Sequence, residues 1–142
     1  MSEDRTHIPD PNVVELPHDR DRISAIIDTI IDQASEAGMQ DAAAFAIRLA
    51  LEEAITNAFV HGHKELEADV PVRIEYRVGR GELDVAIEDQ GPGFVPEALP
   101  DPTLDENLSK PSGRGVMLMK AYMSDVAYNA RGNRVVLRYR AN

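Results

Sequence analysis

Phe45-Ala46-Ile47-Arg48-Leu49-Ala50-Leu51-Glu52-Glu53-Ala54-Ile55-Thr56-Asn57-Ala58-Phe59-Val60-His61-Gly62-His63 decides how the rest of the chain must be arranged. The run reads as one helix, from a start near Asp41 to a stop at Gly62. Placed on a wheel it is apolar almost all round, the pattern of a buried, central helix. Two polar stripes interrupt it at four-residue steps, each therefore on one face. Arg48, Glu52 and Thr56 form the first, in which Arg48 and Glu52 make an ordinary surface pair of opposite charge. Glu53, Asn57 and His61 form the second. Glu53 has Leu49 and Asn57 as its four-residue neighbours, so no basic partner sits on its own helix. Ala46, Ala50 and Ala54 lie close to this stripe and leave room for something to approach. A carboxylate and an amide beside small residues on a central helix point to a site.

Length and composition bound the rest. A chain of 142 residues is one domain with a real core. We expect residues 1–12 to be a flexible tail, since they are polar and contain two prolines before Asn12, and residues 13–142 to be the domain. Hydrophobic content of 43% with 28% charged residues is ordinary for a soluble protein. No apolar run approaches the roughly 18–20 residues of a membrane span, and no signal peptide opens the chain. Without cysteine there are no disulfides or thiolate metal sites, and a cytoplasmic location is the default expectation. A net charge of −10 argues against direct nucleic-acid binding.

Outward from the central helix, Asp19–Ala37 reads as a first helix, with Ile23, Ile26, Ile27, Ile30, Ile31 and Ala34 at core spacing and Gly38 as its stop. Val13, Val14 and Leu16 suggest a short edge strand. Val72, Ile74, Tyr76 and Val78 alternate with charged residues, turn at Gly79-Arg80-Gly81, and return through Leu83, Val85 and Ile87. Carrying the alternation on puts Asp89 on the apolar face, where a carboxylate is costly unless hydrogen-bonded; alternatively the strand ends there and Asp89 caps a turn. A proline-containing segment from Val95 to Ser112 reads as a lid or binding loop. Ser112-Gly113-Arg114-Gly115 leads into a helix carrying Val116, Met119, Tyr122 and Met123. Two strands close the chain, Val126–Asn129 and Arg134–Arg140, joined at Arg131-Gly132-Asn133.

The common phosphate signatures are missing: no glycine-rich run precedes Lys-Ser or Lys-Thr, and Gly91 and Gly93 lack the third glycine of a dinucleotide fingerprint. No Gly-x-Ser-x-Gly elbow exists, and no further ligands recur around His61 and His63 to support zinc. What remains is a constellation on successive elements. A buried Asp89 accepts a hydrogen bond from an exocyclic amine such as that of adenine, and Gly91 and Gly93 let backbone pass close to a planar base. Gly113–Gly115 offers free amides at a helix start, a cradle for phosphate. Asn57 offers an uncharged oxygen to magnesium, and Glu53, one turn earlier, is placed to take a proton from an attacking hydroxyl or water. The plain structural alternative is that Glu53, Asn57 and Asp89 only cap and brace the fold.

Read together, Glu53-Ala54-Ile55-Thr56-Asn57-Ala58 resembles the N box of the GHKL ATPases, Asp89-Gln90-Gly91-Pro92-Gly93 their Asp-x-Gly-x-Gly box, and Ser112-Gly113-Arg114-Gly115 the glycine box that follows. The small size and the Glu-Ala-x-x-Asn-Ala form are most similar to the anti-sigma-factor serine/threonine kinases of the RsbW and SpoIIAB type. The resemblance implies an α/β (α+β) two-layer sandwich, with helices on one face of a mixed, mostly antiparallel sheet. It implies ATP and Mg2+ as cofactors, Glu53 as catalytic base, Asn57 as metal ligand, and Asp89, Gly91, Gly93, Gly113, Arg114, Gly115 and Asn133 around the nucleotide. Its partners would be a STAS-domain anti-anti-sigma protein, phosphorylated on serine, and a sigma factor held by a kinase homodimer. The other reading it leaves is a nucleotide-responsive module that sequesters a partner without kinase activity. Two positions depart from the family pattern. Gly132-Asn133 stands where Gly-Thr is frequent, and Pro111 stands where a basic residue is common, with Lys110 and Arg114 as neighbours.

Overall fold

A computed structural model describes residues 6–62, 70–91, 123–130 and 132–140. The chain order is β1 (Asn12–Leu16), α1 (Arg20–Glu36), α2 (Asp41–Asn57), a short π-helical turn (Ala58–Gly62), β2 (Val72–Gly79), β3 (Glu82–Glu88), β4 (Asp125–Tyr128) and β5 (Arg134–Arg140). The strands form a five-stranded sheet in the order β1-β2-β3-β5-β4. All four pairings are antiparallel, and β1 is the edge strand that Val13, Val14 and Leu16 suggested.

Local chemistry explains the helix ends. The Asp19 side chain accepts from the amides of Asp21 at 2.9 Å and Arg22 at 3.4 Å, capping α1. At the other end Gly38 takes φ +100°, the Met39 amide donates to the Ala34 carbonyl and the Gly38 amide to that of Ser35. This is the 6→1 and 5→2 closure that a left-handed glycine permits.

Period-2 alternation sorts the sheet's faces. Val72, Ile74, Tyr76, Leu83, Val85, Ile87, Val135 and Leu137 join Ile27, Ile30, Ile47, Leu51 and Ile55 in one buried cluster, so both helices lie on one face. α2 is less enclosed than its sequence suggested. Ala44, Ile47, Ala50, Leu51, Ala54 and Ile55 are buried, but Phe45 stands 66% exposed. Ala50 and Ala54, expected to leave room beside Glu53, are instead packed in the core. Arg48 also finds a different partner: its Nη2 donates to Asp28 Oδ1 on α1 at 2.6 Å, so the guanidinium ties the helices together rather than pairing along α2 with Glu52.

The other face carries the charged alternates. Here Glu75 is 8% exposed, because Arg134 grips it with both terminal nitrogens (2.8 and 3.1 Å) and Arg73 Nε adds a third bond at 2.9 Å. Hydrogen bonding from Arg134 holds the Glu75 carboxyl below the usual carboxylate range against burial, which pushes it up, with Arg73 adding to the lowering. A carboxyl whose folded value is depressed contributes stability that is complete above its unfolded value and lost as pH falls through the folded one. We therefore expect Glu75→Gln to cost about 3 kcal/mol near pH 7, the lower end for breaking a buried pair, since Glu88 still faces Arg134. The gap between wild-type and variant urea-unfolding free energies should close as pH falls below the carboxylate range.

Of the segment expected to be a flexible tail, residues 1–5 lie outside the described residues and residues 6–12 rest against the sheet. Thr6–Asp10 lies across this outer face, with Ile8 2% exposed and packed on Ala86 and Val136. Arginines hold its backbone: Arg134 Nε donates to the Thr6 carbonyl at 2.8 Å, Arg138 Nη2 to that of His7 at 2.9 Å and Arg77 Nη1 to that of Pro9 at 3.4 Å. Asp10 then takes φ +48°, a left-handed turn that an aspartate tolerates, and the chain enters β1 at Asn12. Polarity and proline content suggested a loose segment because the bonds that hold it come from side chains on distant strands.

Candidate functional site

β3 ends at Glu88, and the next residue follows the second expectation, a turn cap that is nonetheless buried. Asp89 is 9% exposed and its Oδ1 accepts the Gly91 amide at 2.8 Å, closing a turn. Its backbone is fastened to the β4–β5 turn: the Asp89 amide donates to the Asn133 carbonyl at 2.8 Å, and Asn133 Nδ2 donates to the Asp89 carbonyl at 3.0 Å. Asn133 is fixed in turn by Asn129, whose Nδ2 donates to Asn133 Oδ1 at 2.8 Å. Asn129 Oδ1 accepts from the amides of Gly132 (2.7 Å), Asn133 (3.1 Å) and Arg134 (3.3 Å). Gly132 supplies the φ of +79° that this tight turn requires. Burial pushes the Tyr128 phenol, next to Asn129, up to about 12, so it stays neutral at physiological pH.

Asn129 is the residue the sequence reading missed. An Asn four residues before Asn133, at the mouth of a turn containing Gly, is the available signal, since asparagine side chains hydrogen-bond backbone amides just ahead of them. Losing its oxygen would take an acceptor from the Asn133 and Arg134 amides, while Gly132 keeps the Asn129 carbonyl at 3.1 Å. We expect Asn129→Ala to lower stability by about 1–3 kcal/mol, measured by urea denaturation.

Glu53 and Asn57 are half-buried on successive turns of α2, and Asn57 is its last residue. The helix then widens: Ala58–Gly62 is π-helical, a departure frequent at functional sites. Phe59, buried within this turn, is stacked by the His18 ring at 4.5 Å with an interplanar angle of 8°. The two halves of the constellation rest on one core, which includes Ala54 and Ile55 beside Glu53, Ile87 before Asp89 and Val135 after Asn133. Gly93, Gly113, Arg114, Gly115, the segment from Val95 to Ser112 and most of the helix after it lie outside the described residues. Met123, the end of that run, is buried in the main core.

This arrangement defines a class. A model of the histidine kinase-like ATPase domain matches residues 16–139, from the end of β1 to the last strand. The chain belongs to this family. Among curated proteins it is 28% identical over 124 residues to an anti-sigma F factor of Clostridium botulinum, covering 83% of this chain and 78% of that protein. It is 32% identical over 111 residues to the serine-protein kinase RsbW of Listeria monocytogenes, covering 73% and 70%. An anti-sigma F factor of Clostridium perfringens is 29% identical over 103 residues, covering 68% and 71%. Among the described residues no helix is long and apolar enough to cross a membrane.

Proposed function

We propose that the chain is an ATP-dependent serine/threonine protein kinase of the anti-sigma type. The observation that carries this reading is Asp89: a carboxylate buried at a strand end, its backbone clamped to Asn133 and its Oδ1 set by Gly91. A buried acid held this rigidly suits an acceptor for a base amine, a contact that needs a fixed direction. The family match over residues 16–139 and the similarity to proteins named as anti-sigma factors and serine kinases support it.

In this reading Asp89 accepts the adenine amine while Gly91 and Gly93 keep the backbone clear of the ring. Asn133 has both ends of its amide engaged with Asp89 and Asn129, so it serves the pocket by holding Asp89 in place. Gly113, Arg114 and Gly115 cradle phosphate, and Asn57 offers its oxygen to magnesium. ATP with magnesium supplies a transferable phosphoryl group whose developing charge the metal offsets. With ATP bound, Glu53 would take the proton of an incoming serine hydroxyl, the serine oxygen receiving the phosphoryl group that ATP gives up on becoming ADP. The acceptor is a serine of a STAS-domain anti-anti-sigma protein, and a homodimer of the kinase sequesters a sigma factor in the cytoplasm, regulating transcription.

The test is to incubate the protein with γ-labelled ATP, magnesium and a STAS protein encoded beside it, and to look for phosphoserine on the STAS protein. Label on serine supports the reading. ATP binding without transfer would leave a nucleotide-responsive sequestering module in its place.

A further inference from the structure

The arginines on the sheet's outer face are not distributed evenly with respect to Asp89. Arg138 and Arg77 hold the strap at His7 and Pro9, away from the end of β3, whereas Arg134 holds it at Thr6 directly behind that end. Arg134 follows Asn133, whose amide fixes the Asp89 carbonyl, and its own amide donates to Asn129 Oδ1 in the same turn. Arg134 also faces Glu88, the residue before Asp89, with Nη1 3.4 Å from Glu88 Oε1. In the sheet register Glu88 and Arg134 are direct partners. One guanidinium, 11% exposed as a side chain, thus bonds the strap on one side and the two strand ends that carry Asp89 and Asn133 on the other.

We propose that the outer sheet face is an intramolecular docking seat for Thr6–Asp10, and that its occupancy is coupled through Arg134 to the nucleotide site around Asp89. The seat is built for an extended segment. It reads backbone carbonyls through arginines and takes one apolar side chain, Ile8, onto Ala86 and Val136. Its occupant is held by arginine bonds and by Ile8 on Ala86 and Val136, far less apolar burial than the core on the opposite face, so it opens more readily. When Thr6 leaves, Arg134 Nε loses its acceptor while buried, and the guanidinium re-forms its bonds among Glu75 and Glu88. That shifts Glu88 and the Asn133–Arg134 backbone, which together set Asp89. Coupling of this kind is reciprocal, so nucleotide must tighten the strap by the factor with which the strap tightens nucleotide.

This inference rests on the ATP reading of the Asp89 site. The experiment compares the full chain with a variant starting at Pro11 and with Ile8→Asp, using calorimetric titration with ATP and magnesium and circular dichroism to check folding. We expect both variants to bind ATP roughly fivefold or more weakly than the full chain. In parallel, hydrogen–deuterium exchange of the unaltered chain should slow by a matching factor at residues 6–8 when ATP saturates it, a measurement that needs no variant to fold. Equal ATP affinity in a folded variant, or exchange at residues 6–8 indifferent to saturating ATP, would overturn the coupling and leave the ATP site standing. Failure of the full chain to bind ATP would overturn both.

Discussion

Glu53→Gln is expected to leave ATP affinity within about twofold of wild type and to lower phosphate transfer by ~10²–10⁴-fold, the usual worth of a positioned base. The substitution is conservative in the respects that matter for folding. Glu53 is half-buried on an α-helix whose inner face is packed around Ala50, Leu51, Ala54 and Ile55, and glutamine keeps its length and helix propensity. Glutamine also keeps the capacity to hydrogen-bond an incoming hydroxyl, so the serine is still received. It cannot take the proton. Single-turnover transfer of labelled phosphate to the STAS partner, run beside ATP calorimetry, separates the two quantities. Unchanged transfer would remove Glu53 from the catalytic role and leave Asn57 to carry the chemistry of the α2 polar stripe.

Asp89→Asn is the second large effect. Oδ1 already accepts the Gly91 amide, and asparagine can keep that bond, so the turn survives. With the oxygen held there, the introduced amide nitrogen takes the place of Oδ2 and presents a donor where an acceptor stood. Opposite an adenine amine this sets donor against donor. A hydrogen bond to a charged group is worth about 1.5–3 kcal/mol, so the Kd for ATP should rise roughly 10- to 150-fold. Equal calorimetric affinities for variant and wild type would argue against this pocket.

Much of this was legible in the sequence because it depends on local rules. The isoleucines of α1, the stop at Gly38 and the alternation through Val72–Ile87 each express one periodicity or one special conformation. Their elements appear at the expected residues. Asp89 was also legible, since it breaks an apolar alternation just before a glycine turn, and its burial follows. What escaped depends on partners far apart in the chain. Arg48 meets Asp28 rather than Glu52 because α1 packs beside α2, which no spacing within α2 reveals. Glu75 looks like an ordinary solvent-facing charge until Arg134, from the last strand, crosses β3 to reach it. The same arginine turns a polar, proline-containing start into a seated strap. The π-helical turn after Asn57 follows an unbroken helical pattern, in which no spacing announces the change.

Asp89, proposed as the base-recognising acid of an ATP site, should discriminate between purines. Adenine offers an amine to that carboxylate, whereas guanine carries a carbonyl at the same ring position, and a carbonyl facing a buried carboxylate is repelled. Titration calorimetry of the wild-type chain with ATP and then GTP, in magnesium and otherwise identical buffer, tests this directly. One ATP should bind per chain, with GTP binding at least roughly tenfold more weakly, the cost of losing a good hydrogen bond and gaining a repulsion. No heat with ATP, or equal affinity for the two nucleotides, would contradict it.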